Sequence, residues 1–339
     1  MLIHKIFVPK IRINLLGYNH RQIIGKAISS VLEQSYRDFE FFYMDNASSD
    51  GSLKYVKANF PDVKIIANEK NLGYAGGHNL FFLQSKSELV MVLNPDVILD
   101  KNFLENALKG FDDPQVAAVT GKMLQPGLNI LDGTGIEVSR SRRAKERGQN
   151  EEDKGQYDDK PDVFGVSGTA AIYRREALEK VRMPRPVATK GSFEYFDEDF
   201  FAYFEDFDLS WRLRHAGYKC WYVPSAILYH SRAAGSSQGG YKKILSFISH
   251  HKKLPLKVKR WNWKNHLFCI VKNDFGLEFW KDLPFIFVRE AAMFIFILIF
   301  ETRTLGVLPE FFKDFFKMIR KRQYIKSKLS TQHFLITHY

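Results

Sequence analysis

The stretch FFAYFEDFDLSWRLRHAGYKCWYVPSAILYH, residues 200–230, combines an acidic helix start with a following strand-like segment. Leu209, Leu213 and Ala216 recur at i, i+4 and i+7, which predicts one buried helix face that ends at the next glycine. We therefore expect Asp206 on a rigid first turn. Acids at this place also cap a helix and complement its dipole, and the stretch taken alone fits that explanation equally well.

Upstream of this stretch, short apolar runs alternate with helix-like segments. The runs are predicted strands at residues 11–16, 39–44, 63–67 and 88–93. A possible strand at 116–119, a charged solvated loop at 140–162 and a strand–helix pair at 163–179 follow. The alternation predicts an α/β fold with a mainly parallel sheet and helices on both faces. Ligands of such sheets bind beyond the carboxyl ends of the strands.

The positive charge of the chain is concentrated near its C-terminus. Residues 251–339 hold 17 Lys and Arg against 7 Asp and Glu, a net +10 out of +12 for all 339 residues. Within them, LPFIFVREAAMFIFILIF (283–300) is interrupted by Arg289 and Glu290, whereas a bilayer span needs about 20 apolar residues. We expect an interfacial or re-entrant helix, with a buried core helix as the alternative. The basic, aromatic segment after it suits an anionic membrane surface.

Other patterns exclude common classes of protein. Cys220 and Cys269 form neither a disulfide framework nor a metal motif, which fits a reducing compartment. The N-terminal MLIHKIFVPKIRINLL has no signal-peptide cleavage site. HExxH, P-loop, GxSxG, CxxC and GxGxxG patterns are absent, which disfavours proteases, kinases, hydrolases, redox proteins and nicotinamide enzymes. A cytoplasmic protein, peripheral on the inner face of the cell membrane, is the simplest expectation.

Polar loops follow the first three predicted strands. Their candidate ligand-binding residues are Asn19, Asp45, Asn46, Asp50, Asn71, Gly73, Gly76 and Asn79. The acids and amides of DNASSDGS (45–52) suit a base or ribose, although an Asx turn with a helix cap at Asp50 explains them as well. The glycines of NEKNLGYAGGHN (68–79) permit close approach of the backbone to a phosphate.

The fourth predicted strand ends in Asn94, Pro95 and Asp96. One carboxylate together with a diphosphate is a common way to hold Mg²⁺ or Mn²⁺, because these ions keep oxygen ligands and several waters. A plain turn is the alternative. His230 lies at the end of the strand-like ILYH and is a candidate for the same metal shell or for a phosphate contact, although a lone histidine is more often structural.

The ordered motifs GYNH, DNASSDGS, NLGYAGGHN, LNPD, VSGTAAIYRREALE and YFEDFDLSWRLRHAGYKCWYVPSAILYH resemble the family 2 glycosyltransferases, in particular the rhamnosyltransferase-like branch. The resemblance covers residues 12–236. It implies a GT-A fold, a nucleoside-diphosphate sugar donor and inversion at the anomeric carbon. By this resemblance Asp45 contacts the base, and Asn71, Gly73 and Asn79 lie beside the ribose and phosphates.

The resemblance also assigns the reacting groups. Asp96 matches the metal-binding end of the family's D-x-D, in which Asn94 replaces the first Asp. Asp206 matches the catalytic base, with Glu205 beside it, and His230 matches a histidine that joins the metal or diphosphate in some members. The implied cofactor is Mg²⁺ or Mn²⁺.

These assignments predict two parts of the chain and a membrane-associated transferase. Residues 1–240 form the catalytic part, and residues 241–339 form a helical extension that contacts the membrane. The donor is expected to be dTDP-rhamnose or a UDP-sugar, and the acceptor a lipid-linked or growing glycan. The alternatives are a non-catalytic sugar-nucleotide-binding or scaffold protein, and nucleic-acid binding by the basic tail, which we disfavour.

Overall fold

The computed structural model describes residues 8–185, 193–231 and 251–329. Its strands are β1 Ile11–Gly17, β2 Phe39–Asp45, β3 Lys64–Ala67, β4 Leu89–Leu93, β5 Val97–Leu99, β6 Val116–Leu124, β7 Leu131–Gly133, β8 Ile136–Val138, β9 Ala144–Glu146, β10 Asp162–Val163, β11 Ala170–Arg174, β12 Met183–Pro184, β13 Phe193–Glu194 and β14 Lys219–His230. Its helices are α1 Ile24–Leu32, α2 Ser52–Asn59, α3 Gly73–Gln84, α4 Phe103–Leu108, α5 Arg175–Val181, α6 Glu205–His215, α7 Leu256–Asn273, α8 Leu277–Phe300 and α9 Leu308–Leu329. Residues 1–7, the start of the N-terminal segment considered for a signal peptide, lie outside the described part.

The main sheet has the order β3-β2-β1-β4-β11-β6-β14-β10, with β5 on β14 and β7 on β6. Strands β3, β2, β1 and β4 are parallel to one another, and β6 is parallel to β14. Strand β11 lies between these two parts and runs antiparallel to both β4 and β6, and β10 is antiparallel to β14 at the edge. The predicted α/β fold with a mainly parallel sheet is therefore confirmed, and the strand–helix pair at 163–179 is β11 followed by α5.

Helices cover both faces of the sheet. Neighbouring side chains of a strand point to opposite faces, so each strand contributes to two cores. In β4 every residue is buried. Leu89, Met91 and Leu93 join the core beneath α1 and α4, whereas Val90 and Val92 join the core beneath α3, α5 and α6. A strand buried on both faces reads as a continuous apolar run, as this one does.

The charged segment 140–162 is not simply a solvated loop, so that prediction is wrong for its first half. Arg142 is fully buried and its guanidinium lies 2.7 Å from carboxylate oxygens of both Asp274 and Asp282. Arg147 is also buried, and residues 144–146 form β9 against β8. The partners of Arg142 lie more than 130 residues away, so no local pattern reveals this burial.

The C-terminal helices α7 and α9 pack into the same cores as the sheet. Phe268 of α7 and Met318 of α9 lie with Trp211 of α6, and Ile325 of α9 lies with Leu213 on the second face of the sheet. The predicted boundary at 240/241 falls in 232–250, outside the described residues.

Helix α8 contrasts with its neighbours. Within the described residues it is the one helix long and apolar enough to cross a membrane, with 24 residues and a mean hydropathy of 2.2 in its most apolar window. Only 11% of that window is buried. The alternative of a buried core helix is therefore wrong.

Candidate active site

The candidate site lies where the carboxyl end of β4 meets the start of β11 and the first turn of α6. The amide of Asn94 donates to the carbonyl of Thr169 at 2.9 Å, and the amide of Gly168 donates to Oδ2 of Asp206 at 2.8 Å. The turn before β11 therefore connects the strand end that precedes Asp96 with the helix that carries Asp206. Burial raises the pKa of Tyr203, and the charges of Glu205 and Asp96 raise it further, so this ring lies close to both sides of the site.

Asp206 occupies the first turn of α6 and is half-buried. Its Oδ1 accepts the amide of Phe207 at 2.7 Å, which together with the bond to Gly168 fixes the plane of the carboxylate. Burial raises the pKa of Asp206, and the two backbone hydrogen bonds only partly oppose that effect. A carboxylate held in one orientation with a raised pKa has the properties of a general base.

Glu205 is more deeply buried than Asp206. Its side chain is buried, and its Oε2 has no hydrogen-bond partner among the described residues. Burial and then the neighbouring charge of Asp206 raise the pKa of Glu205 well above its ordinary value. An acceptor hydroxyl in the cleft would have to reach this buried side chain, so the structure does not support the expected catalytic role for Glu205.

The loop before α6, residues 200–204, has an unusual backbone and is called the acid loop below. Phe201, Tyr203 and Phe204 have φ values of 62°, 73° and 71°, a region that non-glycine residues rarely adopt. The side-chain amide of Asn265, on α7, donates to the carbonyls of residues 200, 202 and 203 at 2.9, 3.0 and 2.9 Å. Trp261 stacks on Phe201 with ring centroids 4.9 Å apart. Helix α7 thus holds the acid loop, which directly precedes the helix turn that carries Asp206.

On the other side of the site, His230 bridges two carboxylates. Its Nδ1 lies 2.7 Å from Oδ2 of the buried Asp132, and its Nε2 lies 3.4 Å from Oδ2 of Asp96. The pairing of His230 with Val97 across β14 and β5 places the ring beside the Asp96 turn. Burial disfavours the charged imidazole, but the bonds to Asp132 and Asp96 outweigh it and raise the pKa of His230 to about 9.

This arrangement fits a divalent cation shared with a bound diphosphate, not a cage built by the protein. Among the described residues no group of three His, Cys, Asp or Glu side chains stands ready to hold a metal. Mg²⁺ is commonly held by one or two carboxylates together with substrate phosphates, and Asp96 fits that role. Asp132 fixes the ring of His230 through Nδ1, as outer-shell carboxylates do for histidine ligands. His230 must lose a proton before Nε2 coordinates a metal.

The loops that follow β1 and β2, on the expected donor side of the site, are held mainly by hydrogen bonds among their own residues. Asp45 is 1% exposed, and its carboxylate accepts bonds from the Tyr43 hydroxyl at 2.8 Å and the Ser48 amide at 2.9 Å. Asp50 accepts the amides of residues 21 and 52, so the Asx-turn explanation describes this loop as it stands. Asn19 is exposed and accepts the amide of Ser49 at 2.8 Å.

The next donor-side loop is tied to Asn46. Its amide donates to Oδ1 of Asn71 at 2.9 Å and to the carbonyl of Gly73 at 3.0 Å. Gly73 has φ +72°, and a Cβ there would meet the carbonyl oxygen of Phe201 at 2.4 Å. The missing side chain of Gly73 therefore lets the acid loop pack closely against it, whereas the sequence suggested that the backbone of this loop approaches a phosphate. Gly76 is buried within α3.

Asn79 does not lie in the cleft. It is fully buried, its Oδ1 accepts the amides of Tyr195 and Phe196, and its Nδ2 donates to the carbonyl of Phe196 and to Glu198. All of these partners belong to the segment that leads to the acid loop. A contact between Asn79 and ribose or phosphate does not fit this geometry.

Two contributors were missed in the sequence. Asp132 lies in the short strand β7, and Asn265 lies in the polar run WNWKNH of α7. Each acts on a residue at least 60 positions away, His230 and Tyr203 respectively. Neither residue has a local motif that could have identified it.

Comparison with known proteins gives the family. The family model described as Glycosyl transferase family 2 matches residues 17–182, which include the donor-side loops and the Asp96 turn. The chain belongs to glycosyltransferase family 2. This confirms the family, of the rhamnosyltransferase-like kind, expected from the sequence motifs.

Relatives of this glycosyltransferase include an N-acetylglucosaminyl-diphospho-decaprenol L-rhamnosyltransferase of Mycobacterium tuberculosis. It is 25% identical over 252 residues, which cover 68% of this chain and 77% of the relative. An uncharacterized glycosyltransferase of Nostoc sp. is 28% identical over 189 residues, which cover 52% of this chain and 55% of the relative.

The fold is that of the GT-A glycosyltransferases. A mannosyltransferase from Pyrobaculum calidifontis, solved in complex with GDP-Man and Mn²⁺, superposes with a TM-score of 0.52 at 16% identity and covers 95% of this chain and 86% of its own. At this identity the likeness concerns the fold alone.

Proposed function

We propose that this family 2 glycosyltransferase transfers a sugar from a nucleoside diphosphate to a lipid-linked or growing glycan, with inversion at the anomeric carbon and Asp206 as the base. The observation that carries the proposal is the position of Asp206. It is the half-buried carboxylate at the first turn of α6, joined through Gly168 to the strand end that precedes Asp96.

The reaction requires a base for the acceptor hydroxyl on one side of the cleft and positive charge near the leaving diphosphate on the other. An acceptor hydroxyl is a poor nucleophile at neutral pH, and a carboxylate that removes its proton as it attacks C1 contributes about 10²- to 10⁴-fold in rate. Asp206 supplies that group: its carboxylate, which later returns the proton to solvent, takes the hydroxyl proton as the new C–O bond forms. The bond from C1 to the diphosphate breaks at the same time, so the pair of electrons departs with the leaving group.

The leaving diphosphate requires positive charge nearby. Asp96 would hold a divalent cation there together with the diphosphate, and His230 would join it or contact a phosphate directly. When bound, such a cation stabilises the negative charge that the leaving group acquires. The mannosyltransferase from Pyrobaculum calidifontis binds Mn²⁺ together with its nucleotide sugar, which supports Mg²⁺ or Mn²⁺ as the ion in this chain.

The rhamnosyltransferase relative suggests the substrates to test first. Its name specifies a lipid-linked diphosphate acceptor and transfer of L-rhamnose. We propose dTDP-rhamnose as the first donor, UDP-sugars as the second, and a polyprenyl-diphosphate-linked sugar as the acceptor. Such an acceptor places the reaction at a membrane, and we propose the cytoplasmic face because nucleotide sugars are soluble compounds of that compartment.

Release of nucleoside diphosphate tests the proposal. Purified protein is incubated with Mg²⁺ or Mn²⁺, a panel of dTDP-, UDP- and GDP-sugars and a membrane-lipid extract as the acceptor source. We expect release with one donor, and Asp206→Asn should lower it by at least about 100-fold. Asp159→Asn, which changes an exposed carboxylate outside the site, serves as the matched control.

The same experiment separates catalysis from the alternative of a non-catalytic sugar-nucleotide-binding protein. Donor binding without turnover, unchanged by Asp206→Asn, would favour the binding protein. Turnover that survives Asp206→Asn would refute the role of Asp206 while leaving glycosyl transfer standing.

A further inference from the structure

The exposed side of α8 is the largest feature of the molecule that the catalytic proposal does not use. Side chains at Trp280, Phe287 and Ile299 are 68%, 70% and 66% exposed, and Val288, Ile295 and Leu298 continue the same apolar surface between them. Soluble monomers rarely expose contiguous apolar patches of more than a few hundred Å², and larger ones mark interaction sites.

The opposite side of α8 is bound to the rest of the protein along its whole length. Near its start Asp282 is buried and pairs with Arg142 at 2.7 Å. In the middle, Glu290 pairs with His266 of α7 at 2.9 Å. Residue 297, near the end, is fully buried in a cluster with α7.

The chain also remains attached directly beyond the helix. Glu301, the residue that follows α8, pairs with Lys259 of α7 at 2.7 Å. From residue 282 to residue 301 the attachment extends over about 28 Å of helix axis. The helix therefore lies along the protein surface, with its apolar side outward.

We infer that α8 lies in the plane of an anionic lipid bilayer and inserts only its apolar side into the lipid–water interface. Crossing the bilayer would require α8 to leave α7, to break the pairs of Asp282 and Glu290, and to carry those charges into hydrocarbon. An in-plane helix keeps all of these contacts. Its apolar side then occupies the shallow interfacial layer that suits amphipathic helices.

The charge around α8 favours lipid over a second copy of the chain. Residues 251–339 carry a net charge of +10. Exposed cations lie on α7, on α9 and on the turn between α8 and α9, including Lys257, Arg303, Lys313 and Arg320. Two copies meeting through this region would bring positive charges together, whereas an anionic bilayer attracts each nearby cation. Exposed Phe312 and Phe316 on α9 add further apolar surface to this basic region.

Vesicle binding tests the surface without any sugar donor. The inference deepens the membrane location proposed above, and a lipid-only measurement separates its failure from a failure of catalysis. The full-length chain is sedimented with phosphatidylglycerol vesicles and with phosphatidylcholine vesicles. We expect binding to the anionic vesicles that weakens as salt is raised. Phe287→Glu with Ile299→Glu should need at least about tenfold more lipid for half-binding.

A matched control changes two exposed leucines elsewhere. Leu83→Glu with Leu128→Glu removes apolar surface outside the C-terminal helices and should leave binding as in the unchanged protein. Equal binding of the α8 variant and this control would overturn the inference. A stable dimer in the absence of lipid that the α8 substitutions dissociate would also overturn it, because a second copy would then cover the surface.

Insertion depth distinguishes a helix in the plane from one that crosses. Both cysteines of the chain, Cys220 and Cys269, are buried, so a cysteine introduced at 287, 295 or 299 can be labelled selectively with a fluorophore. Residues 287 and 299 are about 18 Å apart along the axis. If α8 lies in the plane, we expect lipids brominated near the headgroup to quench the labels at all three positions equally, which indicates the same shallow depth. Quenching depth that changes steadily along the helix would show that α8 crosses the bilayer.

Discussion

Replacement of Asn265 by alanine should release the acid loop while leaving the remainder of the fold intact. Asn265 is fully buried on α7, and its amide is the donor for three carbonyls of a loop that contains three non-glycine residues with positive φ. Each such residue costs about 1–3 kcal/mol unless its surroundings hold it. The loop therefore stores about 3–9 kcal/mol of strain, which Asn265 helps to hold.

The expected magnitude follows from what the carbonyls lose. A buried polar group without its partner costs about 1–3 kcal/mol, and the two amide hydrogens of Asn265 serve three acceptors. We expect the variant to lose about 2–4 kcal/mol of unfolding free energy, because relaxation of the strained loop offsets part of the lost bonding. If the active conformation of the acid loop becomes less favourable by about 2 kcal/mol, its population and therefore kcat fall about 30-fold.

Three measurements check this prediction. Thermal unfolding gives the stability, and release of nucleoside diphosphate gives kcat and the donor KM. The donor KM should change less than kcat, because Asn265 itself bonds to the acid loop and not to a donor-side loop. Hydrogen exchange reports on the loop directly, because the amides of Tyr74 and Ala75 donate to the carbonyl of Phe201 and should lose protection. Asn129→Ala is the matched control, since its amide also donates to one carbonyl, at 3.0 Å, outside the site.

One outcome would refute the role of α7. If Asn265→Ala keeps the kcat of the unchanged protein and the amide of Tyr74 stays protected, the acid loop does not depend on this side chain. A fall in stability with unchanged kcat would show that Asn265 supports the packing of α7 and has no part in positioning Asp206.

Further predictions concern the acid, the histidine and a buried cation. Because the pKa of Asp206 is raised and the base must be ionised, kcat should fall with decreasing pH at a higher pH than for an ordinary aspartate, as a pH–kcat profile will show. The raised pKa also means that ionised Asp206 destabilises the fold, so Asp206→Asn should be at least as stable as the unchanged protein, most clearly above the raised pKa in thermal unfolding. Asp132→Asn should weaken Mn²⁺ binding in the presence of nucleoside diphosphate about 10- to 100-fold by calorimetry, because it no longer orients His230. Lys321→Met removes the buried cation that Glu194, Asp197 and Asp199 share, although Lys272 and Lys317 still pair with the two aspartates, and should cost about 3–5 kcal/mol in denaturant unfolding. The loss should be smaller at pH 5 than at pH 7, because burial raises the pKa of Glu194 to about 7 and the protonated carboxyl no longer needs the cation.

The fold could be predicted because its signals are local. The apolar run 39–44 corresponds to β2 at Phe39–Asp45, and the run 88–93 to β4 at Leu89–Leu93. Helices α1, α2 and α3 separate β1, β2, β3 and β4 along the chain, and this alternation predicts the parallel half of the sheet. The antiparallel placement of β11 between β4 and β6 has no such signal, because it depends on pairing between segments about 50 to 80 residues apart.

The roles predicted for the site residues stay predictions, and the structure shows contacts that the motifs did not reveal. Motif order placed Asp96 and Asp206 at one end of the sheet, which follows from where strands end. It did not show that the Asn79 amide bonds to residues 195–198, or that Gly73 faces the carbonyl of Phe201. Polar residue types in a loop predict that the loop is functional or tightly turned, and only the partners of each side chain decide between the two.

The acid loop links Asp206, the proposed base, to helices that, like Asp206 itself, lie outside the residues matched by the family model. Residues 17–182 match the family, yet Asp206 is positioned by Asn265 and Trp261 of α7, and α7 also binds α8 through His266. If α8 rests on the bilayer, the helix that holds the acid loop also sets the height of the cleft above the lipid. A lipid-linked acceptor would then meet Asp206 at a fixed distance from the membrane surface, since one rigid helix determines both positions.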